Sequence, residues 1–314
     1  MKIFCAKYII SLLLLQCVTS CFTGIENTKK ITEKDVAKVV QERAGMTEQE
    51  TAYNSIVADS FPTWERGKRF HVVDNGIKRI FSPSSQYDAD TLNIAGKILE
   101  YTGYTEGSIL DNEPKINLCF SDGVNEYVYS TNKTLEEIER QQIMLQVPFL
   151  VDAALVEKYD ELLERKVFYI RTSIWYNEKG EMIPGKKFIR VKIIDVLPGD
   201  KVFPLRVMFE TEDGAKACLF MSTKQSSVQN RLFDNLFSEK DIRLNYPLIT
   251  ETTWKHIVNG TVAIDMTKDE CRLSLGTPGS IQERPTYDGL QEYWFYGDGM
   301  YLIFFDGRLK QFRR

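Results

Sequence analysis

The sequence predicts an α+β protein. Small antiparallel β units of barrel or sandwich type alternate with helices, and a module of two helices and a three-stranded antiparallel sheet ends the chain. Short apolar runs separated by Asp-Gly and Asn-Gly turns indicate antiparallel strands. Capping-box patterns open separate helical segments. The hydrophobic fraction of 43% is normal for a globular protein, and 314 residues are enough for two or three domains.

We expect six segments along the chain. They are a signal peptide at 1–20, a lipidated tether at 21–34, an N-terminal helical and β domain at 35–131, a helical hairpin with a second β domain at 132–224, a helical linker at 225–249, and the C-terminal module at 250–314.

The first residues have the layout of a secretory signal. Lys2 and Lys7 supply positive charge, and the apolar run at 8–15 is shorter than the roughly 20 residues that a membrane span needs. The segment Val18-Thr19-Ser20-Cys21 resembles the bacterial lipobox, in which a signal peptidase cuts before a cysteine that carries diacylglycerol. The resemblance implies lipidation of Cys21. An ordinary cleaved signal with an incidental cysteine is the alternative.

Residues 23–34 are rich in Thr, Lys, Glu and Asn, a composition that does not form a core on its own. We expect a tether that holds the folded part away from the membrane. The several acyl chains that the lipobox resemblance implies on Cys21 would anchor the chain stably. The residues after Cys21 (Phe-Thr-Gly) contain no acidic export tag. This favours an outer-membrane lipoprotein that faces the periplasm over one on the cell surface.

The charge and the cysteine content of the chain reduce the number of functional classes to which it can belong. Removal of residues 1–20, which hold two lysines and no acidic residue, changes the formal charge from −4 to −6, so no nucleic-acid partner is expected. The cysteines that remain beside Cys21 are Cys119, Cys218 and Cys271, and none forms a Cys-x-x-Cys pair. We expect them to be small buried hydrophobes. A Cys119–Cys218 disulfide is the alternative. No metal and no cofactor is predicted.

Two stretches of the chain have the pattern of β units. In the first, strands are expected at 69–73, 77–81, 97–101, 115–120 and 126–130, with a hairpin turn at Asn75-Gly76. In the second, they are expected at 166–173, 187–196, 205–209 and 217–222. Helices are expected at 35–58, from a capping box at Thr134, at 151–164 and within 225–248.

The two β stretches also resemble diverged copies of one another. Residues 96–101 parallel 165–170, residues 116–123 parallel 205–214, and residues 127–131 parallel 218–223. An internal duplication would produce this pattern. So would the spacing that any two small antiparallel barrels share, and the sequence leaves both explanations open.

The C-terminal module has the clearest pattern. Thr250 caps a helix to Val258, and Thr267 opens a capping box for a second helix that ends at Gly276 before Pro278. Three strands are then expected, at 292–296, 300–305 and 309–312, joined by tight glycine turns.

This order and its residues resemble the BamE/SmpA/OmlA lipoprotein domain. The shared elements are Met266-Thr267-Lys268-Asp269-Glu270, Leu275-Gly276-Thr277-Pro278, the aromatic strand at 292–296 and Tyr301-Leu302-Ile303-Phe304-Phe305-Asp306-Gly307. The family's glycine before Met-Thr is Asp265 here. The resemblance covers about a fifth of the chain and implies a protein-interaction module of the outer membrane, without catalysis. The start Cys-Phe-Thr-Gly-Ile-Glu also resembles uncharacterised Bacteroidetes lipoproteins.

No catalytic motif emerges from the rest of the sequence. Gly180 to Lys186 nearly matches a phosphate-binding loop, but Lys187 replaces the Ser or Thr and a strand follows, so we expect a hairpin turn. His71 and His256 lie outside any hydrolase motif. Asp88-Ala89-Asp90 is too sparse for a calcium loop.

These observations favour a non-enzymatic envelope lipoprotein that binds a protein partner through its C-terminal module. We expect Trp254, Trp294, Tyr296 and Tyr301 to contribute to the interaction surface. A surface glycan-binding lipoprotein, based on the many aromatic residues, is the alternative. A hydrolase with an unmarked site is a further one.

Overall fold

A computed structural model describes residues 52–83, 87–88, 90–107, 114–141, 145–228, 230–287 and 289–313. The signal peptide, Cys21, the tether and most of the first predicted helical segment lie outside the described residues and stay predictions. The general α+β class is confirmed, since helices alternate with antiparallel sheets.

The first β unit is a five-stranded antiparallel sheet. Its strands are β1 (Arg69–Val72), β2 (Ile98–Glu106), β3 (Ile116–Ser121), β4 (Glu126–Ser130) and β5 (Leu150–Asp152). The strand order is β4-β3-β2-β1-β5, and the helix α1 (Leu135–Arg140) lies between β4 and β5 in the chain. Phe70, Leu99 and Phe120 belong to its buried apolar core.

The second β unit is a seven-stranded antiparallel sheet. Its strands are β6 (Val167–Ile170), β7 (Ile174–Tyr176), β8 (Met182–Pro184), β9 (Arg190–Pro198), β10 (Leu205–Thr211), β11 (Lys216–Met221) and β12 (Phe237–Ser238). The order is β12-β6-β9-β10-β11-β7-β8. The helix α2 (Ala153–Leu163) precedes β6 and packs its buried face into the core of this unit, and α3 (Phe233–Leu236) precedes β12.

The two units repeat one architecture. In strand order, β1, β2, β3, β4 and β5 correspond to β6, β9, β10, β11 and β12, and the β7–β8 hairpin is an addition to the second unit. The registers agree as well. Phe120 lies opposite Tyr101, Phe209 lies opposite Ile193, and a β-bulge follows each of these pairs at the same place.

Backbone hydrogen bonds outside the strand ladders are also repeated. The amide of Gly67 donates to the carbonyl of Tyr101, and the amide of Arg165 donates to the carbonyl of Ile193. The structure therefore repeats the strand order, the register and the bulge position, and an internal duplication of the chain stays a prediction. Two predicted correspondences are wrong. Residues 96–101 correspond to 188–193, and 165–170 correspond to 67–72. Residues 127–131 correspond to 217–221, one residue earlier than expected.

The prediction of a hairpin turn at Asn75-Gly76 is wrong. Asn75–Arg79 is a 3-10 helix, because the Asp74 carboxylate accepts a hydrogen bond from the Gly76 amide and caps it. The Asn75 side chain accepts hydrogen bonds from the amides of Ile94 and Ala95. Asp and Asn side chains compete in this way with strand formation, so the expected return strand at 77–81 does not form.

The segment 225–249 is not a helical linker. In its described residues, 225–228 and 230–249, it contains only the single-turn helix α3, the short strand β12 and a 3-10 helix at Ile242–Asn245. Phe233, Leu236 and Phe237 are buried in the core of the second β unit, and β12 pairs with β6. This segment therefore completes the second unit.

The C-terminal module consists of two helices and a four-stranded antiparallel sheet. The helices are α4 (Glu251–Val258) and α5 (Lys268–Leu275), and the strands, in spatial order, are β13 (Ser280–Thr286), β14 (Gly289–Phe295), β15 (Tyr301–Phe305) and β16 (Arg308–Arg313). A 3-10 helix at Gly297–Gly299 joins β14 to β15. The predicted caps at Thr250 and Thr267 are confirmed.

The prediction of three strands is wrong, because β13 adds a fourth at the edge of the sheet. Every residue of β13 is exposed. Its sequence, Ser-Ile-Gln-Glu-Arg-Pro-Thr, therefore lacks the alternation of apolar and polar residues that identifies a half-buried strand.

Phe188 joins the second β unit to the C-terminal module. It stands where the first unit has Gly96, and both residues have positive φ, 59° and 80°. A bulky residue is rarely found in this region. The Phe188 ring is buried in the core of the module, where its centre lies 6.1 Å from that of Trp254. Burial of the ring offsets the unfavourable backbone conformation.

Lys187 precedes this joint and is itself only 7% exposed. Its amide donates to the carbonyl of Val258, and its ammonium lies 5.5 Å from the centre of the Phe188 ring. No carboxylate forms an ion pair with it within the described residues. Desolvation lowers the pKa of Lys187 to about 8, so its charge destabilises the fold at neutral pH.

We expect Lys187→Met to stabilise the protein. The fall in the pKa of Lys187 from 10.5 to about 8 means that its charge destabilises the folded state by on the order of 3 kcal/mol at pH 7. The substitution removes this cost. Because the unfolded chain binds the extra proton between these pKa values, wild-type stability should rise with pH in that window, and the gain of the variant should shrink. Chemical denaturation at pH 7 and 9 measures both effects. The exposed Lys192→Met is the control, and equal stability of the two variants would contradict the assignment.

Candidate protein-interaction surface

The helix-covered face of the C-terminal sheet forms the core of the module. Trp294 is fully buried, and its ring centre lies 4.6 Å from that of Phe304. The Arg272 guanidinium of α5 lies 4.4 Å from the centre of the Trp294 ring. The buried carboxylate of Glu292 accepts a hydrogen bond from the Trp294 indole and forms an ion pair with Lys268. These contacts fix which face of β14 and β15 meets the helices.

The opposite face of the same strands carries large apolar side chains that are half-exposed. Successive residues of a strand point to opposite faces of the sheet, and burial alternates accordingly along β14 and β15. We call this surface the open face and define it by five residues: Tyr293, Phe295, Tyr301, Ile303 and Phe305. Among the described residues, none of the five belongs to a hydrophobic core.

The five side chains of the open face form one continuous patch. Phe295 lies directly opposite Tyr301, and Tyr293 lies opposite Ile303. Phe305 is next to Ile303 on the same face of β15, two residues further along. Side chains at such positions are close enough to touch. A contiguous apolar patch on a protein surface typically marks an interaction site.

The rim of the open face is polar and carries positive charge. Gln282 lies opposite Tyr293, Gln311 lies opposite Ile303, and Arg313 lies opposite Tyr301. Arg284 shares this face and lies opposite Gln291. At the described strand positions of this face there is no carboxylate, and neither arginine forms a salt bridge within the described chain.

The structure places the four residues predicted for an interaction surface in different environments. Trp254 and Trp294 are buried in the module core, with exposures of 3% and 0%, so the prediction is wrong for both. Tyr296 is half-buried, and its hydroxyl donates to the Gly276 carbonyl at 3.2 Å. Burial raises its pKa, which is consistent with a structural role. Tyr301 lies on the open face.

Sequence reasoning missed Tyr293, Phe295, Ile303 and Phe305. The signal was present, because residues 293–296 and Tyr301–Phe305 are apolar or aromatic at consecutive positions instead of alternating ones. A strand that is apolar on both faces is typical of a sheet covered on both sides. The helices of the module cover one side only.

The two histidines do not form a catalytic group. His71 lies on β1 between β2 and β5, and burial lowers its pKa. The Nδ1 atom of His256 lies 3.1 Å from the hydroxyl oxygen of Thr261. Within the described part of the chain, no hydrogen bond joins either ring to a carboxylate. The hairpin turn predicted at Gly180–Lys186 lies earlier in the chain. Residues 177–181 form the β7–β8 turn, where the Gly180 amide donates to the Asn177 carbonyl, and Met182–Pro184 is strand β8.

The three cysteines of the described chain are free thiols, so the Cys119–Cys218 disulfide does not form. Cys119 and Cys218 lie in different sheets. Cys218 and Cys271 are fully buried, as expected, whereas Cys119 is half-buried. Burial raises the pKa of Cys271 to about 12. Over the described residues, no cluster of three or more His, Cys, Asp or Glu side chains is arranged to hold a metal ion.

No protein-family model matches the chain, and neither a curated protein nor a solved structure matches it. Of the helices in the described ranges, none has both the length and the apolar character to cross a membrane.

The neighbouring phenylalanines of β15 test the assignment of the two faces. Phe304→Ala should destabilise the protein by about 3–5 kcal/mol because it leaves a cavity in the core. Phe305→Ala should cost less than about 1 kcal/mol because its side chain is already half in water. Urea denaturation of both variants measures the difference. Equal losses would show that the open face is packed against another part of the protein.

Proposed function

We propose that the protein is a membrane-anchored envelope lipoprotein that binds another protein, without catalysis, through the open face of its C-terminal module. The open face is the observation that supports this function. It places five large apolar side chains side by side on one rigid sheet and leaves them accessible to a partner.

The composition of this surface is that of a protein-binding site. Tyrosine, phenylalanine and arginine are enriched where proteins meet, and the centre of such a surface is depleted of charge. Here the centre is aromatic and aliphatic, whereas Arg284 and Arg313 stand at the rim. Since the side chains lie on hydrogen-bonded strands, little backbone ordering is required on binding.

Charge determines the partner that we propose. No carboxylate of the described residues forms an ion pair with the two arginines of the rim, so the complementary surface is apolar at its centre and acidic at its edge. A second copy of the chain would place arginine against arginine if the two open faces met. We therefore favour a different protein with an acidic, apolar surface.

The anchor proposal rests on the lipobox pattern at Cys21, and the location that we favour is the periplasmic side of the outer membrane. The resemblance to the BamE/SmpA/OmlA domain supports an assembly role, since two capped helices precede an antiparallel sheet in the same order. The four strands of this module exceed the three expected for that domain. Closure of the two β units into barrels or sandwiches stays a prediction.

Site-specific photocrosslinking tests the open face. Benzoylphenylalanine would replace Tyr293 or Phe305 in the full chain in bacterial membranes, and it would replace Val124 as a control. Val124 is 87% exposed in the turn between β3 and β4. We expect one protein to be captured from both open-face positions and not from Val124, through a peptide that is apolar and acidic.

Two further variants make this result specific. Ile303→Glu should abolish capture because it places a charge in the apolar centre, and Arg284→Glu with Arg313→Glu should weaken it most at low salt. An unchanged thermal melt confirms that each variant folds. Capture from Val124 as well, or only of the chain itself, would overturn the proposal.

Substitution of the lipobox cysteine tests the anchor separately. Cys21→Ser should move the protein from the membrane fraction to the soluble fraction and abolish incorporation of an alkyne-labelled fatty acid. Cys119→Ser should change neither. Retention of the label in Cys21→Ser would show that lipidation, if any, occurs elsewhere.

A further inference from the structure

A cavity of about 350 Å³ lies between the two β units. Its walls come from the segment before β1, from the start of β5 and from two loops of the second unit, at 200–204 and 223–227. This volume lies within the range of small-molecule sites in proteins, roughly 300–1,000 Å³.

Apolar side chains form most of the wall. Phe70, Val147 and Val151 are at most 5% exposed, and Trp64 packs against Phe70 with ring centres 4.8 Å apart. Such a wall favours the apolar body of a ligand, because binding there removes apolar surface from water.

Most polar groups in the wall already have partners within the protein. The Gln225 side chain is bonded to both the amide and the carbonyl of Ala58, each at 2.7 Å. Thr223 and Ser226 are bonded to each other. A ligand rich in hydroxyl groups, such as a sugar, would therefore find few free partners here.

Asp59 at the mouth of the cavity is less completely paired. The Lys68 ammonium lies 2.7 Å from the buried carboxylate of Asp152 and 3.3 Å from that of Asp59. One cation thus serves two carboxylates, and Asp59 is the more distant one. The Asp59 side chain is 74% exposed. The backbone carbonyl of Asp59 accepts a hydrogen bond from the indole N–H of Trp64. Residual negative charge and an aromatic ring therefore meet at the mouth of the cavity.

We propose that this cavity binds a small apolar molecule that carries an ammonium group. The ammonium would pair with the Asp59 carboxylate beside the Trp64 ring, an arrangement that aromatic rings and carboxylates stabilise together. The apolar body would lie against Phe70 and Val147. Within the lining, Lys201 is the one cationic side chain and Asp200 lies beside it, so an anionic ligand lacks a comparable partner.

Three probes of one shape but different charge test this proposal on the full chain in detergent. They are 2-phenylethylamine, 2-phenylethanol and 3-phenylpropionate, and calorimetry with each measures the dissociation constant. We expect the amine to bind roughly tenfold more tightly than the alcohol, and the carboxylate to bind most weakly. Equal affinity of all three, or no binding at millimolar concentration, would overturn the proposal.

Variants locate the site. Asp59→Asn should bring the amine and the alcohol within about twofold of each other, whereas the exposed Glu283→Gln on β13 should leave the preference unchanged. Val202→Trp, at a lining residue that is 39% exposed, should block all three probes. Retained amine preference in Asp59→Asn, or unaltered binding in Val202→Trp, would show that the amine binds elsewhere.

Discussion

Burial of Trp294 fixes the orientation of the C-terminal sheet, and the proposed function depends on that orientation. The indole is enclosed by Phe304 and Arg272 and donates to Glu292, whose charge is matched by Lys268. Because side chains alternate along a strand, a shift of one residue would exchange every inward position with an outward one. The glutamate would then leave its partner, and an apolar side chain of the open face would replace the tryptophan. One buried aromatic group with its polar partners thus determines which residues remain outside.

The repeated architecture of the two β units shows how this module is attached. The equivalent turn position has positive φ in both units, and the first unit fills it with Gly96. The second unit has Phe188 there, whose ring enters the module core beside Trp254. The departure from glycine is therefore explained by a contact between units. Lys187 is buried at the same joint, and no described carboxylate pairs with it, which is a cost of this close approach.

Local patterns in the sequence were sufficient for the helix caps and for most strands. Thr134 and Thr267 form their capping boxes because the partner glutamates lie three residues further on. The predictions fail where residues far away in the sequence determine the local structure. Asn75 is held by the loop at 93–95, and β13 is a strand only because β14 supplies its hydrogen-bond partners. Sequence patterns identified the aromatic strands but not the face of the sheet that the helices cover. Trp294 was therefore predicted for the interaction surface, although it lies in the core. The cavity depends on loops that are far apart in the chain.

The edges of the C-terminal sheet explain why its face, and not an added strand, is the proposed binding element. An exposed edge strand can pair with another chain unless proline or charge opposes it. The edge strand β13 contains Glu283, Arg284 and Pro285 in succession, and a proline donates no backbone hydrogen bond. At the other edge, β16 carries Arg308, Lys310 and Arg313, which disfavour strand addition by a basic segment. Pairing along β13 is opposed, and pairing along β16 is opposed for a basic segment, whereas the aromatic centre between the edges stays accessible. A partner that satisfies the arginines with acidic groups while covering the aromatic centre would therefore bind across the strands.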